Sequence, residues 1–230
     1  MTQTRAPWVN ITLLGLAALV FAVLVGLGTW QVKRLAWKQD LIAQIEARAY
    51  ATPVPAPIDT APAYLNVTIS GRFDHSQHLR IKAVTDIGAG FWIMSPLMSD
   101  AQTIWVNLGF VPTALNIDQW VLPQGPQTLT GLARLPIANG TWLEKNDPQT
   151  DRWFSPDLTA MSAHLALDAN TAYYIDAARA ENATSFPRAG LTRLTLRNTH
   201  LSYALTWYAL AALLLGGVIY AIADHRRSPH

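Results

Sequence analysis

Two long stretches of this chain carry no charge, and the sequence between them alternates. From Ala6 to Val32 there is no Asp, Glu, Lys or Arg, and the centre reads ITLLGLAALVFAVLVGLG. A second uncharged run, Asn198 to Ala223, includes HLSYALTWYALAALLLGGVIYAIA. Crossing the hydrocarbon core takes roughly 20 mostly apolar helical residues, because lipid cannot satisfy backbone polar groups left unpaired. Both runs meet that length, and neither shows the polar stripe of a soluble surface helix. Transmembrane helices are therefore expected at 8–28 and 199–223. A cleaved signal peptide is the rival reading of the first. Its apolar region would span about 7–15 residues and end at small residues. This run is longer and flows into Gly28-Thr29-Trp30-Gln31, so an uncleaved signal anchor is expected.

The segment between the runs changes period twice. Trp30 to Tyr50 mixes Lys33, Arg34, Lys38, Asp40, Glu46 and Arg48 with Trp37, Leu41, Ile42 and Ile45, without Gly or Pro. The first helix is thus predicted to continue to about residue 50. The four prolines of ATPVPAPIDTAPA then deny backbone donors, and 51–63 reads as a linker. Beyond it the period becomes two. Runs rich in Val, Ile, Thr and aromatics predict strands at Tyr64–Arg72, His78–Val84, Phe91–Leu97, Thr103–Phe110, Thr128–Leu135 and Ala172–Asp176. Ser155 as N-cap with Pro156 at the first helical position predicts a short helix to about Leu165.

The predicted architecture is an α+β membrane protein: two transmembrane helices flanking one mostly antiparallel β-rich domain, 64–190, in a sheet or open barrel, with a tail at 224–230. Both termini then share one side of the membrane. Basic residues flank both sides of both spans, and loops beyond about 60 residues translocate largely regardless of charge, so the flanks leave the direction open. A net charge of +2 gives no basis for nucleic-acid binding. With no cysteine in the chain, disulfides, thiolate metal sites, thioether-linked haem and cysteine nucleophiles are excluded.

Enzyme motifs are not found: no G-x-S-x-G, H-E-x-x-H, phosphate-binding loop or dinucleotide fingerprint. Asp74-His75-Ser76-Gln77-His78 has metal-ligand residue types, but it stands where a polar turn is expected. Asp147–Asp151 reads as a solvated loop. The membrane boundary is more informative. His200 opens the second apolar run, and Tyr203, Ala204 and Trp207 follow at helical spacing on its face. An imidazole there is either a haem ligand, with Arg193 and Arg197 placed for carboxylates such as propionates, or part of an interfacial belt. Trp30, Arg34, Trp37 and Leu41 form a matching stripe at the end of the first run, either a headgroup anchor or a surface for the second helix.

At these residues the chain resembles the Surfeit locus protein 1 family of haem–copper oxidase assembly factors. Gly28 to Ile42 is similar to the family's G-x-W-Q-x-x-R-x-x-W-K-x-x-L-I block. Ser70-Gly71-Arg72-Phe73 matches a G-x-F strand end, and Val106-Asn107-Leu108-Gly109-Phe110-Val111-Pro112 resembles V-N-R-G-W/F-V-P. Leu196 to Tyr208 is similar to N-x-H-L-x-Y-A-x-T-W-F. Leu108 departs from the pattern, standing where the family usually has Arg.

The resemblance implies an inner-membrane protein with cytoplasmic termini and a periplasmic central domain. It implies an assembly factor without catalysis of its own, assisting haem a insertion into the haem-bearing oxidase subunit, with haem a synthase a further expected partner beside the lipid bilayer. By position it makes His200 the candidate ligand of haem iron and Trp207 its partner on the same face; Tyr203, Arg197 and Arg34, read from the two boundaries, are the further candidate cofactor contacts. The alternatives are a scaffold that holds an assembly intermediate without touching haem, and a membrane-tethered periplasmic hydrolase, disfavoured because no nucleophile–base pair can be named.

Overall fold

The computed structural model describes residues 7–178, 185–191 and 198–227, with only the backbone described for 7–10. The chain divides into two compact units: Met1–Ala43 with Thr195–His230, and Gln44–Leu194.

The first unit holds two long helices, α1 (Pro7–Ala49, whose last turns belong to the second unit) and α3 (His200–Arg227). Both are long and apolar enough to cross a membrane, and only 6% of the most apolar window of each is buried. A helix at the core of a soluble protein would be mostly covered; here Ile11, Leu19, Leu213 and Ile219 lie open. α1 runs without interruption through the charged stretch after Val32, as the absence of Gly and Pro there predicts.

The second unit is a seven-stranded sheet: β1 (Val54–Pro55), β2 (Asn66–Phe73), β3 (Leu79–Thr85), β4 (Gly88–Met98), β5 (Thr103–Pro112), β6 (Pro126–Arg134) and β7 (Asn170–Ala177). The order is β1-β2-β6-β7-β5-β4-β3. Every expected strand is present with ends moved by a few residues. Most pairings are antiparallel, but β1–β2 and β5–β7 are parallel. The sheet also curls onto itself, since β2 pairs with β4 through Arg72–Met98 and Phe73–Leu97. The open-barrel alternative thus closes at one corner.

Alternation sorts β5 and β7 into two cores. Ile104, Val106, Leu108, Tyr173 and Ile175 point into one cluster with Val67, Phe73, Ile93 and Leu97. Trp105 and Tyr174 face the other way, against Leu79, Ile81, Met94, Trp153, Leu158 and Met161. Both faces of β5 are covered, which is why its apolar run is nearly unbroken. The covering layer includes α2 (Leu158–His164), where Ser162 Oγ accepts the indole N–H of Trp105 at 2.9 Å.

Two local expectations change. The helix predicted from Ser155 starts later, capped by Asp157, whose carboxylate accepts the N–H of Ala160 at 3.1 Å. Ser155 is committed elsewhere: its hydroxyl donates to Ile137 O and accepts from Gly140 N. The proline-rich 51–63 is not a free connector. Its carbonyls serve as acceptors for the sheet unit: Gln102 Nε2 and the Tyr173 hydroxyl both donate to Pro57 O, and Asn170 Nδ2 donates to Ile58 O.

Leu108 is the extra residue where the β4–β5 register shifts: Ile93 pairs with Gly109 and Met94 with Asn107. Its side chain is buried in the first cluster, so apolar packing occupies the place of the family's usual cation. Gly109 follows with φ +129°, close against the backbone of Arg188, where a side chain has no room.

Candidate functional site

The site is built from two stripes of spacing four and three. On α1, Ala17, Phe21, Leu24, Gly28, Gln31 and Leu35 are buried or half-buried. On α3 the same holds for His200, Ala204, Trp207, Ala211, Leu214 and Val218. A 3.5-residue repeat is the mark of two helices packed along a shared seam. Small residues let them approach: Ala204 and Ala211 are almost fully covered, and Gly28 lies directly beneath the ring of Tyr208.

Polar groups punctuate this seam. His200 Nδ1 lies 2.7 Å from Oε1 of Gln31, a residue only 9% exposed. One stretch along, the hydroxyls of Thr29 and Tyr208 are 3.1 Å apart. Thr29 already donates its single hydroxyl proton to Val25 O, so Tyr208 is the donor between them. The start of α3 is fixed locally: Asn198 Oδ1 accepts the backbone N–H of His200, and Ser202 Oγ donates back to Thr199 O. His200 is thereby held at the first turn, half-buried, with its Nε2 unpartnered among the described residues.

Of the candidate residues, the structure brings His200 and Trp207 onto one seam. Tyr203 stands beside that seam and is 54% exposed. Arg34 is exposed, its guanidinium 4.3 Å from the ring of Trp37 on the same helix. Arg193 and Arg197 lie outside the described residues. Gln31, Gly28, Thr29 and Tyr208 had no assigned role from sequence, although all four fall inside the first and fourth motif blocks.

The sheet unit offers a concavity of about 850 Å³, lined by Lys82, Trp92, Asn107, Arg134, Tyr174 and Asp176 among others. Its floor is a polar brace. Asn107 Nδ2 donates to Asp176 Oδ1 at 2.8 Å, while Asn107 Oδ1 accepts from Gly109 N at 3.1 Å. Arg134 Nη1 reaches the other carboxylate oxygen at 3.3 Å. Burial pushes the Tyr174 hydroxyl far above the ordinary tyrosine range, and the Asp176 charge adds to this against the opposing pull of Arg134. The V-N-L-G block is therefore a device of folding: its Asn ties a bulged strand to a buried carboxylate.

The histidines of the 74–78 turn are engaged by groups of the turn and of its neighbour. His75 Nε2 bonds to Pro123 O, His78 Nδ1 to His75 O, and Asp74 accepts from Ser76. Among the described residues, no group of three or more His, Asp or Glu is placed to hold a metal. In the 147–151 loop, the Thr150 hydroxyl holds the Asp147 carboxyl below its usual range.

Comparison with known proteins agrees with the motif blocks that meet at this seam. The family model described as SURF1 family matches residues 18–212. The chain is similar to Surfeit locus protein 1 of Mus musculus, 37% identical over 84% of this chain and 70% of the mouse protein. It is also similar to the Homo sapiens protein of that name, 36% identical over 81% of this chain and 70% of the human one. A SURF1-like protein of Caenorhabditis elegans is 27% identical over 93% of this chain and 74% of its own length. With a family match across most of its length and relatives this similar over both chains, this protein belongs to the SURF1 family.

Proposed function

We propose that this protein is an assembly factor for a haem–copper oxidase, holding haem a as cargo at the α1–α3 seam during its insertion into the haem-bearing subunit. α1 and α3 cross the inner membrane, the termini are cytoplasmic and the sheet unit is periplasmic. The carrying observation is the convergence of the first and fourth motif blocks on one pair, Gln31 and His200, 2.7 Å apart at the start of α3. Shared ancestry in the SURF1 family supports the assembly role.

The residues present fit such cargo. His200 supplies an imidazole nitrogen with no competing partner among the described residues, and Trp207 gives an aromatic surface on the same seam. Arg34, exposed beside Trp37, is available to a propionate. Haem a, if bound, would supply an iron that an imidazole nitrogen can ligate. His200 is then its one strong protein ligand, which suits transfer, since a second would slow release.

A scaffold reading has its own observation: His200 already has a hydrogen-bond partner, as a packing residue would. Chromosomal deletion with complementation tests the assembly role. Loss of assembled oxidase, restored by the wild-type chain, is expected; full oxidase levels without the protein would end it. Restoration by His200→Ala as complete as by wild type would favour the scaffold.

A further inference from the structure

We infer that Gln31 is the positioning residue of this site: its carboxamide oxygen holds the Nδ1 proton of His200 and leaves Nε2 as the lone-pair donor. The inference rests on the reading of His200 as a haem ligand given above.

The carboxamide oxygen faces Nδ1 at 2.7 Å and can only accept, which assigns the proton to Nδ1 in the proposed arrangement. A neutral imidazole carries one N–H, and with Nδ1 protonated Nε2 must hold the free pair. Only a nitrogen with a free pair can bind a metal. The partner on the first nitrogen also fixes the plane of the ring.

Gln31 is suited to this by its surroundings. It lies in the seam, three residues after Gly28 and four before Leu35, and is 9% exposed. A glutamine so covered offers little surface to the water that would compete for its bond. His200 is restrained from its own side by the bond of its backbone N–H to Asn198. Two side chains 169 residues apart in sequence, one on each helix, thus meet at one ring. The first motif block gains a task through its glutamine, beyond anchoring through its tryptophans.

The test uses the full chain in mild detergent, labelled with 15N-histidine, the His200 signal being assigned by its loss in His200→Ala. The wild type is expected to show a pyrrole-type Nδ1 and a pyridine-type Nε2; Gln31→Ala should show mixed tautomers. In parallel, ferric protoporphyrin IX is titrated and its Soret band followed. Gln31→Ala should weaken His200-dependent binding by about 10–100-fold, the usual effect of removing such an outer partner. Gln31→Glu, which keeps an acceptor oxygen, should restore it, separating positioning from loss of fold. A pyrrole-type Nε2 in the wild type, or equal binding by Gln31→Ala, would overturn the inference. If the tautomer is as expected but no His200-dependent Soret band forms, the haem reading fails and the tautomer assignment stands.

Discussion

Replacing Asn107 with leucine tests whether the V-N-L-G block is a brace. The substitution keeps the side-chain shape and removes both hydrogen bonds. Gly109 N–H, buried beside the Arg188 backbone, loses its acceptor at 3.1 Å. An orphaned buried donor costs about 1–3 kcal/mol. Asp176, 8% exposed, loses a donor at 2.8 Å while keeping Arg134 at 3.3 Å. A hydrogen bond to a charged group is worth about 1.5–3 kcal/mol. Burying extra hydrocarbon returns roughly 1 kcal/mol, on the scale of a single buried methylene. The net loss is therefore about 1.5–5 kcal/mol. For a folding unit of this size each kcal/mol moves the midpoint by roughly 2–4 °C, so a drop of about 3–20 °C is expected. The assay is thermal unfolding of the full chain in mild detergent, followed by tryptophan fluorescence, since Trp105 and Trp153 report on the second core. Asp176→Asn and the double variant complete a cycle, in which the two changes should be clearly non-additive. A drop below about 2 °C, or additivity within about 0.5 kcal/mol, would refute the brace.

Other consequences follow from the same geometry. A side chain on Gly28 would meet the Tyr208 ring at 2.7–2.9 Å, so Gly28→Leu should cost about 1–3 kcal/mol by overpacking. Tyr208→Ala in the same chain should recover most of that loss in a thermal scan; an undiminished loss would place the clash elsewhere. Tyr174 titrates in the unfolded chain near 10.0 and higher in the folded one. Its contribution to stability is present below pH 10 and declines as pH rises toward the folded value, because the unfolded state ionises first. Tyr174→Phe should therefore flatten the alkaline loss of stability measured by denaturant titration between pH 9 and about 11; an unchanged slope would count against it.

The helices were legible because charge is excluded from 6–32 and 198–223, and the strands because their side chains alternate. β5 was visible for a different reason, a long apolar run that both covered faces of the sheet require. Closure of the sheet through Arg72–Met98 was not legible, since two residue pairs leave no periodic trace. The parallel β5–β7 pairing is likewise a choice of neighbour, which local pattern does not encode. Ser155 misled because its neighbour Pro156 suits a helix start, while Asp157 binds the Ala160 N–H more strongly as a charged cap. At the site, His200 and Trp207 stood out by type and position. Gln31 did not, although the heptad 24–28–31–35 carries it, because its role depends on a partner 169 residues away.

The most direct measurement is the optical spectrum of the full chain purified in mild detergent from cells that make haem a, beside His200→Ala. The account predicts haem a in near-stoichiometric amount with the wild type and its loss in the variant. Equal haem in both, or none in a wild-type protein that still supports oxidase assembly, would contradict it.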